Sequence, residues 1–185
     1  MTFRITLPVV TDRLLLRPGT VDDIDAVHAY QRRPDVAKYL YRPPWTRKKT
    51  AEVLAEPTTF ARTGDSLVLY VERLARPGVI GEIVLKLADL TAMQAEIGWV
   101  FHPDAGGHGY ATEGASAILA LGFDTCGFHR IFARLDEENT ASARVCQRLG
   151  MRREARLVES DIRDGVWGTE LIYAVLQREW RGSPS

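Results

Sequence analysis

Residues 99–114 read Trp-Val-Phe-His-Pro-Asp-Ala-Gly-Gly-His-Gly-Tyr-Ala-Thr-Glu-Gly, and the rest of the chain is organised around them. An apolar strand ends at His102, a glycine-rich turn follows, and a helix begins near Tyr110. Glycine lets backbone N–H groups converge without a Cβ between them, and the first turn of a helix leaves N–H groups unpaired. Because such a unit binds phosphate through these donors and the helix dipole, we predict a phosphate-bearing cofactor here.

Other interpretations of this turn fit the residues less well. No lysine follows Gly109, so the pattern is not that of a nucleoside-triphosphate loop. In a dinucleotide fingerprint the third glycine would fall on Thr112, and Asp136 lies late for the ribose contact. A purely structural turn needs fewer special glycines than are present at Gly106, Gly107 and Gly109.

Hydrophobic periodicity predicts an α/β (α+β) domain with a mixed, mostly antiparallel sheet of about seven strands and helices on both faces. A Thr20 cap begins the first helix, and an irregular aromatic segment, 35–46, follows it. The predicted strands are 13–17, 66–74, 79–87, 94–101, 130–135, 151–162 and 167–176, and the later helices are 46–62 (interrupted near Pro57), 110–123 and 139–149.

Composition narrows the class of protein. The 185 residues carry 24 Lys+Arg and 24 Asp+Glu, so nothing in the charge balance favours a nucleic-acid partner. No signal peptide and no apolar run of about 18 residues is found, so we expect a cytoplasmic protein without a membrane partner. Cys126 and Cys146 lack metal-ligand spacing, which predicts no metal site. We expect one domain over residues 1–180 and a flexible tail at 181–185.

Three segments resemble the GNAT acetyltransferase superfamily. Pro103-Asp-Ala-Gly-Gly-His-Gly-Tyr-Ala-Thr-Glu is similar to its acetyl-CoA loop, Gln/Arg-x-x-Gly-x-Gly/Ala, with Gly109 and Ala111 in the last two fixed positions and Gly106 where Gln or Arg is usual. Glu138-Asn-Thr-Ala-Ser-Ala-Arg-Val-Cys-Gln-Arg-Leu-Gly-Met resembles the family's Asn-x-x-Ser…Lys-x-Gly-Phe segment. Thr11-Asp-Arg-Leu-Leu-Leu-Arg-Pro resembles the opening strand of its RimJ/RimL-like branch.

The resemblance implies the GNAT fold, in which the central strands of the sheet splay apart. It also implies an acetyl-CoA-dependent N-acetyltransferase that moves an acetyl group to a primary amine by direct attack in a ternary complex. The acceptor would be a small molecule or a peptide, including a protein N-terminus, and the protein would be a monomer or homodimer. An alternative is a non-catalytic acyl-CoA-binding sensor of the same fold, which the departures at Gly106 and Cys146 keep open.

The cofactor contacts implied by the resemblance fall in three places. The strand end would pair with the pantetheine arm, the turn and helix start would hold the pyrophosphate, and the helix at 139–149 would contact the arm and phosphates. Asn139 has an alternative role as an N-cap. The residues are Val100, Phe101 and His102; Gly106, Gly107, His108, Gly109, Tyr110, Ala111 and Thr112; and Asn139, Ser142 and Arg148.

Acetyl transfer needs a route for removing a proton from the amine and one for protonating the leaving thiolate. Glu82 and Glu96 are the candidate bases, although a neutral amine needs none. Ser142 and Cys146 are the candidate acids, since they share one helix face by spacing and many family members carry tyrosine at position 146. A buried, purely structural Cys146 is the alternative.

The irregular segment 35–46 is predicted to form one wall of the acceptor pocket, or alternatively to pack on the first helix. Its Tyr39 and Trp45 are the candidate substrate contacts, together with Trp99 at the end of the central strand. Aromatic faces there would exclude water and stack on a cation.

Overall fold

The computed structural model describes residues 3–56, 58–163 and 165–180 and contains one eight-stranded sheet. The predicted tail at 181–185 lies outside the described residues, as do Pro57 and Asp164. The spatial order is β1-β2-β3-β4-β5-β6-β8-β7, and every neighbouring pair is antiparallel except β5 and β6. The strands are β1 Val9–Val10, β2 Leu14–Arg17, β3 Ser66–Arg73, β4 Arg76–Asp89, β5 Gln94–Phe101, β6 Arg130–Asp136, β7 Arg152–Arg163 and β8 Val166–Leu176.

This architecture confirms the predicted mixed sheet and adds one strand to it. The extra strand is β1, whose two residues pair with Leu15 and Leu16 of β2. Two alternating residues are too few to produce a recognisable period, so the sequence pattern could not predict this strand.

Helices cover both faces of the sheet. The helices are α1 Ile24–Gln31, α2 Pro34–Ala37, α3 Arg47–Ala55, α4 Tyr110–Ala120, α5 Thr140–Arg148 and α6 Gln177–Trp180. Helix α4 approaches one face so closely that a Cβ on Gly114 would lie 2.7 Å from Ile83 Cδ1. On the other face, Val27 and Tyr30 of α1 pack with Leu54 of α3 against the sheet.

Two predicted helices end earlier than expected. The helix predicted over 46–62, with an interruption near Pro57, ends at Ala55, and Glu56 has extended backbone angles (φ −69, ψ 130). The part predicted after the interruption was wrong, because residues 58–62 are not helical. A residue that precedes proline is driven out of the helical region by the proline ring, and Glu56 precedes Pro57. Helix α4 likewise ends at Ala120 and continues as a π-helical turn over Leu121–Thr125.

The two central strands separate, as the resemblance implies. Strands β5 and β6 pair only at Gln94–Arg130, Ala95–Ile131 and Glu96–Phe132. Beyond Glu96, β5 continues to Phe101 with its partner on the β4 side alone. The gap that opens between them lies beside the glycine turn. Within the described part of the chain, no helix is long and apolar enough to span a membrane.

Candidate active site

A cavity of about 410 Å³ opens where β5 leaves β6. Its volume is in the range of small-molecule sites in proteins. The end of β5, the glycine turn, the start of α4, one face of α5 and the α2 segment line it together. The predicted site residues among its lining are Tyr39, Trp99, Val100, Phe101, His102, Gly106, Gly107, Gly109, Tyr110, Ala111, Thr112, Asn139, Ser142 and Arg148.

The backbone at the end of β5 faces the gap. The His102 N–H donates to the Ile80 carbonyl on the β4 side at 2.8 Å. Hydrogen-bonding groups of successive residues point to opposite sides of a strand, so those of Trp99 and Phe101 point away from β4. They are therefore directed at the space that β6 has left, where an extended ligand arm could pair with them.

The glycine turn exposes the first N–H groups of α4. After a short 3-10 turn over Pro103–Ala105, Gly107 and Gly109 take left-handed backbone angles, with φ of 78° and 79°. Glycine adopts this region without a steric penalty, which explains the residue choice at both positions. Gly109 is the N-cap and supplies no capping side chain, so the first-turn N–H groups remain available to an anion.

Thr112, in the same first turn, provides a test of whether a phosphate-bearing group fits. Its Oγ1 is buried and has no hydrogen-bond partner among the described residues. Buried hydroxyls normally have a partner, so an orphan on the cavity wall indicates a missing polar ligand. This hydroxyl, the uncapped helix start and the positive-φ glycines together fit an anionic phosphate group.

The start of α5 forms the opposite wall of the cavity. Asn139 Oδ1 accepts a hydrogen bond from the Ser142 N–H at 3.1 Å, so the capping role weighed for Asn139 is present in the structure. Ser142 Oγ accepts from Trp99 Nε1 at 3.2 Å, which fixes the hydroxyl beside the end of β5. The exposed side chains of Arg144 and Arg148 add positive charge to this wall.

Cys146 requires a correction, because it does not share the cavity with Ser142. Its side chain is fully buried in the main hydrophobic core and is absent from the cavity lining. Burial raises the pKa of its thiol to about 12. Four residues make one helical turn and a further rotation of about 40°, which is enough for Cys146 to face the sheet while Ser142 faces the cavity. The predicted role of Cys146 as proton donor is therefore wrong, and the structural alternative holds.

Neither predicted base lies on the cavity. Glu82 is buried against α1, where Tyr30 Oη donates to Oε2 and Gln31 Nε2 donates to Oε1, both at 2.7 Å. Burial raises the pKa of Glu82, although these hydrogen bonds and the charge of Arg42 oppose the rise. Both carboxylate oxygens are therefore engaged in anchoring α1 to β4.

Glu96 lies four residues from Val100, the register partner of Glu82, on the same face of the sheet. That spacing separates the two positions by about 13 Å along the strand. Glu96 is half-buried, faces Lys86 across the β4–β5 ladder and is also outside the cavity lining.

Two further predicted residues point elsewhere. The guanidinium of Arg42 lies 4.3 Å from the centre of the Trp45 ring, and the Trp45 backbone N–H donates to the Gln31 carbonyl at 2.9 Å. Trp45 therefore packs near α1 rather than on the cavity. The exposed His108 ring stacks on Tyr110 with centroids 5.5 Å apart and its Nδ1 lies 2.7 Å from the Gly106 carbonyl oxygen. Their predicted substrate and cofactor contacts are not supported by this placement.

Asp35, Val36 and Leu40 line the cavity beside Tyr39 but were not singled out individually from the sequence. The aromatic residues of segment 35–46 indicated that this segment forms a wall of the pocket, but they did not indicate that its aliphatic and acidic residues line the cavity as well. Arg13 and Tyr30 were also missed, because their partners lie far away in sequence.

Comparison with protein families matches residues 13–152 to the family described as Acetyltransferase (GNAT) domain. A Bacillus subtilis (strain 168) protein named uncharacterized N-acetyltransferase YnaD is 34% identical over 173 residues, 93% of this chain and 98% of that protein.

Solved structures agree with this match. The GNAT-family acetyltransferase from Bacillus anthracis is 32% identical with a TM-score of 0.84, covering 94% of this chain and 100% of that one. The spermidine N-acetyltransferase from Vibrio cholerae, solved with CoA and spermine, shares the fold at 19% identity and a TM-score of 0.78, covering 93% and 100%.

Replacing Gly109 with valine tests the glycine turn. The variant should fold, because a Cβ there meets only Arg13 Nη2 at 3.6 Å, yet it should weaken binding of CoA by at least about 100-fold, since valine disfavours positive φ and its bulk stands at the helix start. Isothermal titration calorimetry measures the affinity.

Gly127→Val is the matched control. Gly127 also has positive φ (71°), is exposed, and lies outside the cavity lining, so its variant carries similar backbone strain without touching the turn. Equal affinity of the two variants for CoA would refute the assignment of the turn.

Proposed function

This chain belongs to the GNAT family of acetyltransferases, and we propose that it transfers acetyl from acetyl-CoA directly to a primary amine bound in the same complex. One observation carries the proposal: the uncapped start of α4 and the free edge of β5 open onto a single cavity. An anion site and an extended backbone edge in one cavity suit a long ligand that carries phosphate at one end.

Acetyl-CoA, when bound, supplies a thioester whose carbonyl carbon accepts the amine. The first-turn N–H groups of α4, with Thr112 Oγ1, would hold the phosphates. The backbone groups of Trp99 and Phe101 would orient the arm and polarise the carbonyl oxygen. Much of the rate would come from this positioning.

Ser142 is the proposed proton donor to the leaving sulfur. Its Oγ already accepts a hydrogen bond from Trp99 Nε1, which leaves the hydroxyl proton free to be directed into the cavity. Cys146 is excluded from this role by its burial.

We propose that no protein carboxylate acts as a dedicated base. Among the described residues, the carboxylate that lines the cavity is that of Asp35, whose pKa is lowered by the hydrogen bond from Arg33. A base with a lowered pKa is a poor proton acceptor at neutral pH, so the acceptor would react in its neutral form and lose its proton to water.

The class of acceptor stays open between a protein or peptide N-terminus and a small-molecule amine. Membership in the RimJ/RimL-like branch is also proposed, on the strength of the stretch from Thr11 to Pro18, which spans β2. Cytoplasmic location and a monomeric or dimeric state remain predictions.

The direct test is a thiol-release assay with acetyl-CoA against alkylamines, polyamines, aminoglycosides and N-terminal peptides, with acetylation located by mass spectrometry. We expect transfer to an amine nitrogen of at least one class. Binding of acetyl-CoA without transfer to any amine would contradict the proposed reaction and favour a sensor of the same fold.

Ser142→Ala should lower kcat by about 100-fold while leaving KM for acetyl-CoA within about threefold, because a proton donor acts on the leaving group. Cys146→Ala, on the same helix, is the control: it should lower the melting temperature but keep kcat, since it removes only core packing. Steady-state kinetics that gave the two variants equal kcat would contradict the assignment.

The pH profile tests the absence of a base. With limiting acceptor, kcat/KM should rise about tenfold per pH unit up to the pKa of the amine, about 8 for a peptide N-terminus or about 10 for an alkylamine. Glu82→Gln should keep the same slope, since Gln still accepts from Tyr30 or Gln31. A profile flattened by Glu82→Gln would restore Glu82 as the base.

A further inference from the structure

The stretch from Thr11 to Pro18 meets the glycine turn, although it takes no part in the chemistry proposed above. Arg13 precedes β2 and contacts Glu113, which lies in the first turn of α4. These residues are 100 positions apart in sequence, so only the fold brings them together.

Glu113 is held by the N-terminal segment at both carboxylate oxygens. Arg13 Nε donates to Oε2 at 2.6 Å, and Arg13 Nη2 lies 2.5 Å from the same oxygen. Oε1 accepts from Thr11 Oγ1 at 2.6 Å and from the Arg13 backbone N–H at 3.0 Å. The carboxylate is thus fixed in place by three donor groups and one full positive charge.

Arg13 also contacts the turn itself. Its Nη1 donates to the His108 carbonyl at 3.1 Å, and its guanidinium lies 4.9 Å from the centre of the Tyr110 ring. A Cβ placed on Gly109 would stand 3.6 Å from Arg13 Nη2. The guanidinium therefore lies against Gly109, the N-cap position of α4.

Glu113 creates an electrostatic problem for an anion site. A carboxylate in the first turn of a helix stabilises that helix when no other anion is present, but it repels a second anion that binds at the same terminus. Burial would raise the pKa of Glu113, but hydrogen bonds from Thr11 and Arg13 and the charge of Arg13 outweigh it and lower the pKa. The negative charge therefore persists at neutral pH and has to be balanced.

We propose that Arg13 is a positioning residue for the phosphate site, which neutralises Glu113 and fixes the His108 carbonyl so that the start of α4 accepts a phosphate. This inference rests on the proposed function, because it assumes that CoA phosphates bind at the turn. The Thr11–Arg13 segment is then part of the cofactor site, although neither residue lines the cavity.

A double-mutant cycle on Arg13 and Glu113, with CoA affinity measured by calorimetry, tests the compensation. Arg13→Gln should weaken CoA binding about five- to tenfold, because it leaves the Glu113 charge unbalanced. Glu113→Gln should stay within about twofold of wild type, since Gln keeps one oxygen for the Thr11 and Arg13 donors. Arg13→Gln made in the Glu113→Gln background should weaken CoA binding only about twofold.

Two variants control for charge and folding. Arg47→Gln removes the same charge from an exposed pair with Asp25, which lies outside the cavity lining, and should bind CoA as wild type does. Arg13→Lys keeps the charge and should retain most of the affinity. Thermal unfolding of each variant confirms that the affinities refer to folded protein.

Equal losses from Arg13→Gln in both backgrounds would overturn the inference, because they would mean that Arg13 acts directly on the ligand. No loss in either background would overturn it as well, since the pair would then be an ordinary surface ion pair. If the wild-type protein binds CoA normally, either of these two results leaves the proposed function intact. A wild-type protein that does not bind CoA would refute both the role of Arg13 and the proposed function.

Discussion

The separation of β5 from β6 after Glu96 is the constraint on which the rest of the site depends. A sheet whose central strands remained paired would use the backbone groups of Trp99 and Phe101 internally and would have no gap to admit a ligand. The short parallel contact at Gln94–Glu96 holds the strands together at one end only. The cavity, the exposed strand edge and the access to α4 all follow from that separation.

Helix starts supply the polarity that the gap needs. The first turns of α4 and α5 both border the cavity, but only that of α5 is capped by a side chain. Asn139 caps α5 internally, whereas Gly109 leaves α4 uncapped and available to an anion. The acidic residue in the first turn of α4 is balanced by Arg13 from the beginning of the chain, so the site draws on segments from both halves of the sequence.

Local features of the fold could be predicted because they are determined by residues that are adjacent in sequence. The strand, glycine turn and helix start at 99–114 depend on short-range backbone preferences, as does the end of α5, which Gly150 follows with a left-handed φ of 71°. Thr20 precedes a 3-10 turn over Val21–Asp23, so α1 begins only at Ile24. The faces of α5 could not be separated in this way. Ser142 and Cys146 share a helical face by spacing, yet packing against the sheet places one on the cavity and the other in the core.

Contacts between residues that are far apart in sequence could not be predicted from local sequence patterns either. The hydrogen bonds from Tyr30 and Gln31 to Glu82 join residues about 50 positions apart and turn a candidate base into an anchor for α1. Trp45 was predicted to contact the substrate because aromatic residues surround it in sequence. In the structure it contacts Arg42 and, through its backbone N–H, Gln31 of α1. In each case a side chain's role was decided by a partner that periodicity does not reveal.

Amide hydrogen exchange with and without CoA, resolved by residue, tests whether the free edge of β5 and the start of α4 bind the same ligand. We expect new protection at the backbone N–H groups of Trp99, Phe101 and Tyr110–Thr112, with the β7–β8 hairpin unchanged. Protection confined to other segments, or none at a saturating concentration of CoA, would contradict the claim that the parted strand and the uncapped helix form one cofactor site.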